Sequence, residues 1–265
     1  MSTNAIVRVP IEQQPTTGLL AVSTTVSQAS TPQRLLLDTT FPSVLFTCDA
    51  TRPNATCAAV CDYAHEPVIF IYPNGGNACL NAVSTAVSLG KFSTAPDFKA
   101  GPIARLKKTN VLGPQKATTF DGVLGIGLPE LPRHPTVPTL LSGNLAKLWG
   151  TYSLVVASLH SAKHDDSYLL IGGMDETLVS SRNLIAHEAA ALPEIGWTLD
   201  LRGVFVGSRA SGVCESGCMA MINTASAVIR IPAPAWKELE ATLNDKCVDV
   251  EDLGDELVHS CDKDV

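Results

Sequence analysis

The segment RLLLDTT, residues 34–40, gives the clearest structural signal in this chain. An apolar run leads into a carboxylate, Asp38, which is followed by the small hydroxylated residues Thr39 and Thr40. Short apolar runs that end at turn-forming residues are typical of buried strands. We therefore expect a strand that ends at Asp38 and presents its side chain at a tight turn. On its own, such an Asp is more often a polar strand terminus than a functional group.

The same pattern returns in AMINTAS, residues 220–226, where Asn223 takes the place of the carboxylate. Asn223 lies 185 positions after Asp38, and it is again followed by Thr and a small residue. A motif repeated at this separation indicates two lobes of related design. We place the first lobe at residues 1–172 and the second lobe at residues 173–265.

Most of the chain has the pattern of short strands. Apolar runs between Gly, Pro, Ser, Thr and Asn recur throughout, and runs of this length favour strands over helices. Helical periodicity is clear only in PAPAWKELEATLNDKC, residues 232–247, with a weaker candidate at residues 136–150. We therefore predict an all-β fold with few short helices. The predicted strands are GLLAV, RLLLD, SVLFT, PVIFIY, GVLGIG, YSLVVASL, SYLLIGG, GVFVG and MAMIN.

Composition excludes several classes of protein. The chain has 265 residues, of which 45% are hydrophobic and 17% charged, so it can bury a substantial core. Its 19 Lys and Arg against 26 Asp and Glu give a net charge of −7, without a basic cluster that would neutralise phosphates. No stretch approaches the roughly 18 apolar residues of a membrane span. We expect no nucleic-acid partner and no membrane span.

The eight cysteines favour disulfide bonds. A zinc site built from Cys57 and Cys61 with Cys48 and Cys79 lacks paired Cys-x2-Cys knuckles, which makes it the weaker interpretation. Disulfides indicate an oxidising compartment, and the glycosylation sequon at Asn54 agrees with this. The cysteines are Cys48, Cys57, Cys61, Cys79, Cys214, Cys218, Cys247 and Cys261.

The N-terminal residues give no independent sign of export. MSTNAIVRVPIEQQ lacks a basic segment followed by an apolar one, so no signal peptide is visible in this sequence. Because an even number of cysteines is the stronger signal, we still expect the secretory pathway or the extracellular space.

Six segments, in order, resemble a known family. Over nearly its whole length the chain resembles the pepsin-like, A1-type aspartic peptidases, which implies a bilobal double-ψ β-barrel fold. The segments are TPQRLLLDTTFPSVLF (31–46) as the first active-site strand and turn, FIYPNGGNA (70–78) as the flap, FDGVLGIGLPEL (120–131) as the strand behind the first turn, SYLLIGGMDET (167–177) as the linking strand, GWTLDLRGVFVGSR (196–209) as the start of the second lobe, and CESGCMAMINTAS (214–226) as the second turn.

The resemblance also implies roles for individual residues. Asp38 and Asn223 match the two catalytic positions, although the second position is an Asp in the family. Thr39 and Thr224 match the threonines whose hydroxyls bond across to the opposite turn. The remaining implied features are a flap with Tyr72, Gly75 and Gly76, and a disulfide between Cys214 and Cys218.

The chemistry of this family needs two carboxylates that share one proton. One acts as a base towards a water molecule, and the other donates to the carbonyl oxygen of the substrate. The carboxamide of Asn223 has no proton to exchange in this pH range, so Asp38 is left as a single carboxylate. In addition, Thr40 and Ala225 replace glycines of the family turns, and Phe41 replaces a hydroxylated residue. These departures predict a non-catalytic member.

The resemblance further implies strands beyond Cys261 that complete the second lobe. We therefore expect the second lobe to be incomplete in this sequence, with an open sheet edge. A second polypeptide, a partner protein and a longer parent chain are the alternatives for covering that edge. If the family partner of Cys261 is absent, Cys247 is the nearest substitute.

The leading functional hypothesis is a pepsin-like homologue that acts by binding a protein or peptide, as an inhibitor-like protein or an assembly subunit. We expect no cofactor and no metal ion, because HSAKHDDS, residues 160–167, is a solvated loop between predicted strands. One alternative is an active aspartic endopeptidase, or one chain of a processed one, that hydrolyses peptide bonds at acidic pH. Another is a purely structural subunit without a ligand in its cleft.

Overall fold

The fold is given by a computed structural model of the chain. The described residues include both the turn that contains Asp38 and the turn that contains Asn223. The structure describes residues 6–14, 18–47, 68–71, 77–80, 83–106, 120–128, 149–156, 167–180, 185, 187–192, 196–226, 229–243, 247–252 and 257–261.

The described residues are mainly β, which confirms the predicted fold class, and each predicted apolar run contains a strand. The strands up to the middle of the chain are β1 (Val7–Pro10), β2 (Glu12–Gln13), β3 (Leu20–Val26), β4 (Gln33–Asp38), β5 (Val44–Thr47), β6 (Val68–Ile71), β7 (Asn77–Leu80), β8 (Val83–Ser84), β9 (Val87–Leu89), β10 (Phe92–Ser93), β11 (Lys99–Leu106) and β12 (Gly122–Gly125). The later strands are β13 (Tyr152–Val155), β14 (Tyr168–Ile171), β15 (Ala189–Leu192), β16 (Gly196–Leu201), β17 (Phe205–Val206), β18 (Arg209–Ala210), β19 (Cys218–Met221), β20 (Cys247–Asp252) and β21 (Leu257–Cys261).

Within the described residues, two short helices interrupt the strands, α1 (Glu176–Ser180) and α2 (Ala233–Leu243). The second helix confirms the periodicity seen at residues 232–247, and it begins directly after Pro232, where a helix start tolerates proline. The weaker helix candidate at residues 136–150 lies almost wholly outside the described residues. In the described part of the chain, no helix is long and apolar enough to cross a membrane.

Contacts divide the chain into two compact units. Unit 1 comprises residues 1–197 and 222–227, and unit 2 comprises residues 198–221 and 228–265. The second predicted turn therefore lies in unit 1, together with the first. The division into lobes at residue 172 is not tested by this clustering and stays a prediction.

A large sheet forms the centre of unit 1. Its strands follow the order β10-β9-β3-β4-β12-β5-β11-β7-β6, with β2 beside β3 and β8 beside β11, and a second sheet has the order β1-β14-β13. Strand β12 runs parallel to β4 and antiparallel to β5. All four residues of β12 are buried, which explains why its sequence is apolar without alternation.

Two glycines allow β12 to pass between its neighbours. A Cβ atom on Gly122 would lie 2.1 Å from the carbonyl oxygen of Leu45, and one on Gly125 would lie 2.4 Å from that of Phe41. Such close backbone approach requires a residue without a side chain. The register sets Gly125 opposite Asp38, so β12 lies directly beside the end of β4.

The core of unit 1 packs against both faces of β4. Leu35 and Leu37 belong to the larger cluster of buried apolar residues, whereas Leu36 belongs to a smaller cluster with Phe120. This alternation follows from the two-residue period of a strand.

Tyr152 contacts the residue that follows β12. Its hydroxyl donates to the backbone carbonyl oxygen of Ile126 at 2.6 Å. Burial raises the pKa of Tyr152.

Unit 2 contains small pieces of sheet and the helix α2. Strands β16 and β19 pair antiparallel, with Thr198 opposite Met221 and Leu201 opposite Cys218. Strands β17 and β18 form one hairpin, and β20 and β21 form another. Among the described strands, β19 is the last strand of its sheet, and Met219 and Met221 are 55% and 40% exposed.

The predicted disulfide loop before β19 is present. Cys214 is bonded to Cys218, with their Cα atoms 5.3 Å apart. In the later hairpin, the backbone register sets Cys247 opposite Cys261, the two cysteines that the sequence suggested as a substitute pair. A bond between them stays a prediction, whereas the first loop confirms that the chain contains a disulfide.

Candidate functional site

The first predicted turn lies at the end of β4 and is buried. Asp38 is 2% exposed, and Phe41, the third residue after it, is 4% exposed. The backbone carbonyl of Asp38 accepts a hydrogen bond from Ile126 N at 2.8 Å, and that of Phe41 accepts one from Gly127 N at 2.9 Å. The chain at the end of β12 therefore fixes the backbone of this turn.

Thr40 holds the side chain of Asp38 with two hydrogen bonds. Its backbone N–H and its hydroxyl both donate to Asp38 Oδ1, each at 2.7 Å, and Thr40 is only 5% exposed. Sequence reasoning treated Thr40 merely as a replaced glycine and missed this contact. A signal was available, because Asp and Thr side chains characteristically bond to groups two residues away in turns.

The second predicted turn repeats the backbone contact of the first. Asn223 Oδ1 accepts a hydrogen bond from Ala225 N at 2.9 Å, at the same two-residue offset as the bond from Thr40 N to Asp38. Ala225 has no hydroxyl, so it cannot add the second bond that Thr40 makes. The four residues of this turn are half-buried rather than buried.

Thr39 and Thr224 connect the two turns through four hydrogen bonds. The Thr39 hydroxyl donates to the carbonyl of Ile222 at 2.8 Å and accepts from Thr224 N at 3.1 Å. The Thr224 hydroxyl donates to the carbonyl of Leu37 at 2.7 Å and accepts from Thr39 N at 3.2 Å. Because Asp38 and Asn223 directly precede these threonines, the structure brings the two predicted positions together.

Most of the other predicted site residues fall outside the described part of the chain. Strands β6 and β7 pair antiparallel on either side of the predicted flap, with Ile71 opposite Asn77. The flap residues themselves and the sequon lie outside the described residues, as do the histidines and aspartates of the 160–166 loop. These residues are Tyr72, Gly75, Gly76, Asn54, His160, His164, Asp165 and Asp166.

Unit 1 contains a second Asp-x-Thr turn, at the start of α1, which sequence reasoning did not single out. Asp175 Oδ1 accepts from the Thr177 backbone N–H at 3.0 Å and from its hydroxyl at 2.5 Å, as Asp38 accepts from Thr40. The Tyr168 hydroxyl also donates to Asp175 Oδ2. The Thr177 hydroxyl first, and the Tyr168 hydroxyl next, lower the pKa of Asp175 to about 2.

The two connected turns offer one carboxylate and one carboxamide. An ionised carboxylate only accepts hydrogen bonds, while a carboxamide both donates and accepts them. The pair suits a ligand with a hydrogen-bond donor beside an acceptor, but only Asp38 can exchange a proton. Within the described residues, no group of three His, Cys, Asp or Glu side chains is arranged to hold a metal ion.

Comparison with known proteins points to one family. A family model described as eukaryotic aspartyl protease matches residues 103–264. Gastricsin of Cavia porcellus is 29% identical over 115 residues, which is 43% of this chain and 28% of that protein. Gastricsin of Oryctolagus cuniculus is 29% identical over 127 residues, which is 46% of this chain and 31% of that protein. The matched segment thus spans less than a third of these relatives' length.

A solved structure resembles the fold over a longer range. The crystal structure of aspartic proteinase from Irpex lacteus superimposes with a TM-score of 0.62 and 15% sequence identity, and the match covers 93% of this chain and 70% of that one. At this identity the likeness concerns the fold alone.

Proposed function

Because the chain belongs to the eukaryotic aspartyl protease family, we propose that it is a non-catalytic pepsin-like homologue that binds a protein or peptide. The observation that supports this proposal is the unlike pair at the two turns. Asn223 makes the same turn contact as Asp38, yet its side chain is an amide where the chemistry of the family needs a second acid.

Hydrolysis of a peptide bond by this chemistry needs two groups that exchange protons. One must take a proton from the attacking water while the other gives one to the substrate oxygen, and their roles reverse during the cycle. A carboxamide cannot take either role at acidic or neutral pH. Asp38 alone can orient a water molecule or accept a donor from a ligand, so binding persists where turnover fails.

The retained contacts favour binding over loss of the site. Both turns keep their internal hydrogen bond, and the Thr39 and Thr224 bonds hold them in register. Asp38, at 2% exposure, is oriented by the protein and not by solvent. Preorganised polar groups of this kind reduce the cost of ordering a ligand.

A cleavage assay with a matched variant tests the proposal. Wild type and Asp38→Asn are incubated with an acid-unfolded protein between about pH 3 and pH 5, the range in which a carboxylate pair of this family is singly ionised. We expect the two proteins to leave the substrate equally intact, with and without a statine inhibitor. Cleavage by wild type that disappears in Asp38→Asn would establish the alternative, an active aspartic endopeptidase.

Binding is tested separately from cleavage. A peptide library is screened against wild type, and the retained peptides are measured against Asp38→Asn. We expect affinity to fall about tenfold or more, because a hydrogen bond to a charged group contributes about 1.5–3 kcal/mol. Equal affinity of both proteins for every retained peptide would remove Asp38 from the binding site and favour a purely structural subunit.

We include in the proposal a partner polypeptide on unit 2. Met219 and Met221 lie on one face of β19, the last strand of its sheet, and such edges invite pairing with another strand. Peroxide oxidation tests this in protein purified with its native partners, with Met174 as control, because Met174 is 57% exposed and Met219 55%. Met219 should be oxidised more slowly than Met174 in the complex and equally fast in the isolated chain. Equal rates in both preparations would exclude this partner.

The proposed location is the secretory pathway or the extracellular space. The bond between Cys214 and Cys218 supports an oxidising environment, where such bonds persist. Mass analysis of peptides from the native protein should find Cys214 and Cys218 joined by a disulfide bond and a glycan attached to Asn54. Reduced cysteines and an unmodified Asn54 in freshly isolated protein would argue for a cytosolic location.

A further inference from the structure

The Thr40 hydroxyl has a direct contact with Asp38 that the proposed function does not yet use. It donates to Asp38 Oδ1 at 2.7 Å, beside the Thr40 backbone N–H, which donates to the same atom at the same distance. Both residues are buried, at 5% and 2% exposure. A buried carboxylate oxygen that accepts two short bonds is held in one orientation, because each bond replaces contacts that water would supply.

We propose that Thr40 is a positioning residue for Asp38, and that the Thr40 hydroxyl keeps the side-chain carboxyl group of Asp38 oriented towards a ligand. The resemblance implies a supporting hydroxyl at the position of Phe41, and in this chain a hydroxyl that contacts Asp38 comes from the preceding residue, Thr40. The inference rests on the proposed role of Asp38 in ligand binding.

A second turn of the same chain shows what this contact does. At Asp175 and Thr177 the same two donors, the backbone N–H and the hydroxyl of the residue two positions later, meet the same carboxylate oxygen. There the hydroxyl is the largest cause of a pKa of about 2. The Thr40 hydroxyl and backbone N–H contact Asp38 Oδ1 with the same two-donor arrangement.

The second catalytic position lacks this support, which agrees with its change of residue. Ala225 donates its N–H to Asn223 but has no hydroxyl to add. An amide does not ionise and therefore needs no second donor to stabilise a charge. The hydroxyl is found only at the turn whose side chain can carry a charge.

Carbon-13 NMR of labelled Asp carboxyl groups in the full chain tests the proposal. Thr40→Val removes the hydroxyl at nearly constant volume, whereas Thr40→Ser keeps it. We expect the midpoint of the Asp38 titration to move up by about one pH unit or more in Thr40→Val. The reason is that this variant loses a hydrogen bond that favours the charged carboxyl group. In Thr40→Ser it should stay close to wild type. Thr177→Val serves as the positive control, since it should raise the midpoint of Asp175.

The outcomes separate a positioning role from a merely structural one. An unchanged Asp38 midpoint in a folded Thr40→Val protein, or equal shifts in the Val and Ser variants, would overturn the proposal. If Thr40→Val does not fold, the exchange of hydroxyl protons with water is measured in the wild-type protein instead. The Thr40 hydroxyl proton should exchange far more slowly than that of Thr177. Equally fast exchange would overturn the proposal as well. None of these results depends on cleavage, so Asp38-dependent proteolysis would refute the proposed function and leave this inference standing.

Discussion

The two connected turns share one backbone hydrogen bond and a bridging threonine, but they lie in different surroundings. Both Asp38 and Asn223 accept from the backbone N–H two residues later, and both are followed by a bridging threonine. The first turn is buried behind β12, whereas the second is half-buried and follows β19, the last described strand of its sheet. Turn geometry is thus set locally by side-chain type, while burial depends on a strand from a distant part of the chain.

The largest expected effect concerns the strand behind the first turn. Gly122→Ala should destabilise the protein by about 3 kcal/mol or more, because its Cβ would overlap the backbone of Leu45 at 2.1 Å. Gly207→Ala in the β17–β18 turn is the control. A Cβ atom on Gly207 would meet nothing within 4 Å. The only cost of this substitution is the left-handed backbone conformation, at φ +60°, which we expect to destabilise the protein by about 1–2 kcal/mol. Urea unfolding measures both, and similar losses would show that β12 does not back this turn.

The two strands that lead into the turns should respond differently to truncation. Leu36 and Met221 stand two residues before Asp38 and Asn223, but Leu36 is 1% exposed and Met221 40%. Leu36→Ala should cost about 2–5 kcal/mol because it leaves a cavity, and Met221→Ala less than about 1 kcal/mol. Thermal unfolding of both variants checks this. A comparable loss for Met221→Ala would mean that another part of the protein covers β19.

The bridging threonines should act as one unit. Thr39→Val and Thr224→Val each remove a hydroxyl that donates one hydrogen bond and accepts another, at an expected cost of about 1–3 kcal/mol. The double variant should cost clearly less than the sum of the two, since each change already strands groups of the other turn. Strict additivity in urea unfolding would show that the two turns are held independently.

The smallest effect concerns the exposed Asp-x-Thr turn at Asp175. Its folded pKa of about 2 lies below the ordinary 3.8, so the ionised form stabilises the fold above about pH 4 and this contribution is lost as pH falls towards 2. The difference in melting temperature between wild type and Asp175→Asn should therefore shrink from pH 5 to pH 2. A difference that is independent of pH in this range would show that the carboxylate does not stabilise the turn by its charge.

Much of this molecule could be predicted from sequence because its signals are local. The apolar run before Asp38 and the proline at the start of α2 act within a few residues, and both predictions are confirmed. The bond between Cys214 and Cys218 followed from the family resemblance, and the structure contains it. The Thr40 contact escaped prediction because comparison with the family pattern showed only a lost glycine. Which strands surround β4 also depends on long-range pairing, which residue type alone does not specify.

The central position of β12 has a consequence for synthesis of the protein. The strand pairs with β4, and its neighbour Asp121 accepts from Arg34 N across 87 positions. In the folded protein, β12 lies between β4 and β5. We therefore expect these two apolar strands to lack their shared neighbour during translation until residues 122–125 have emerged, which favours premature strand pairing.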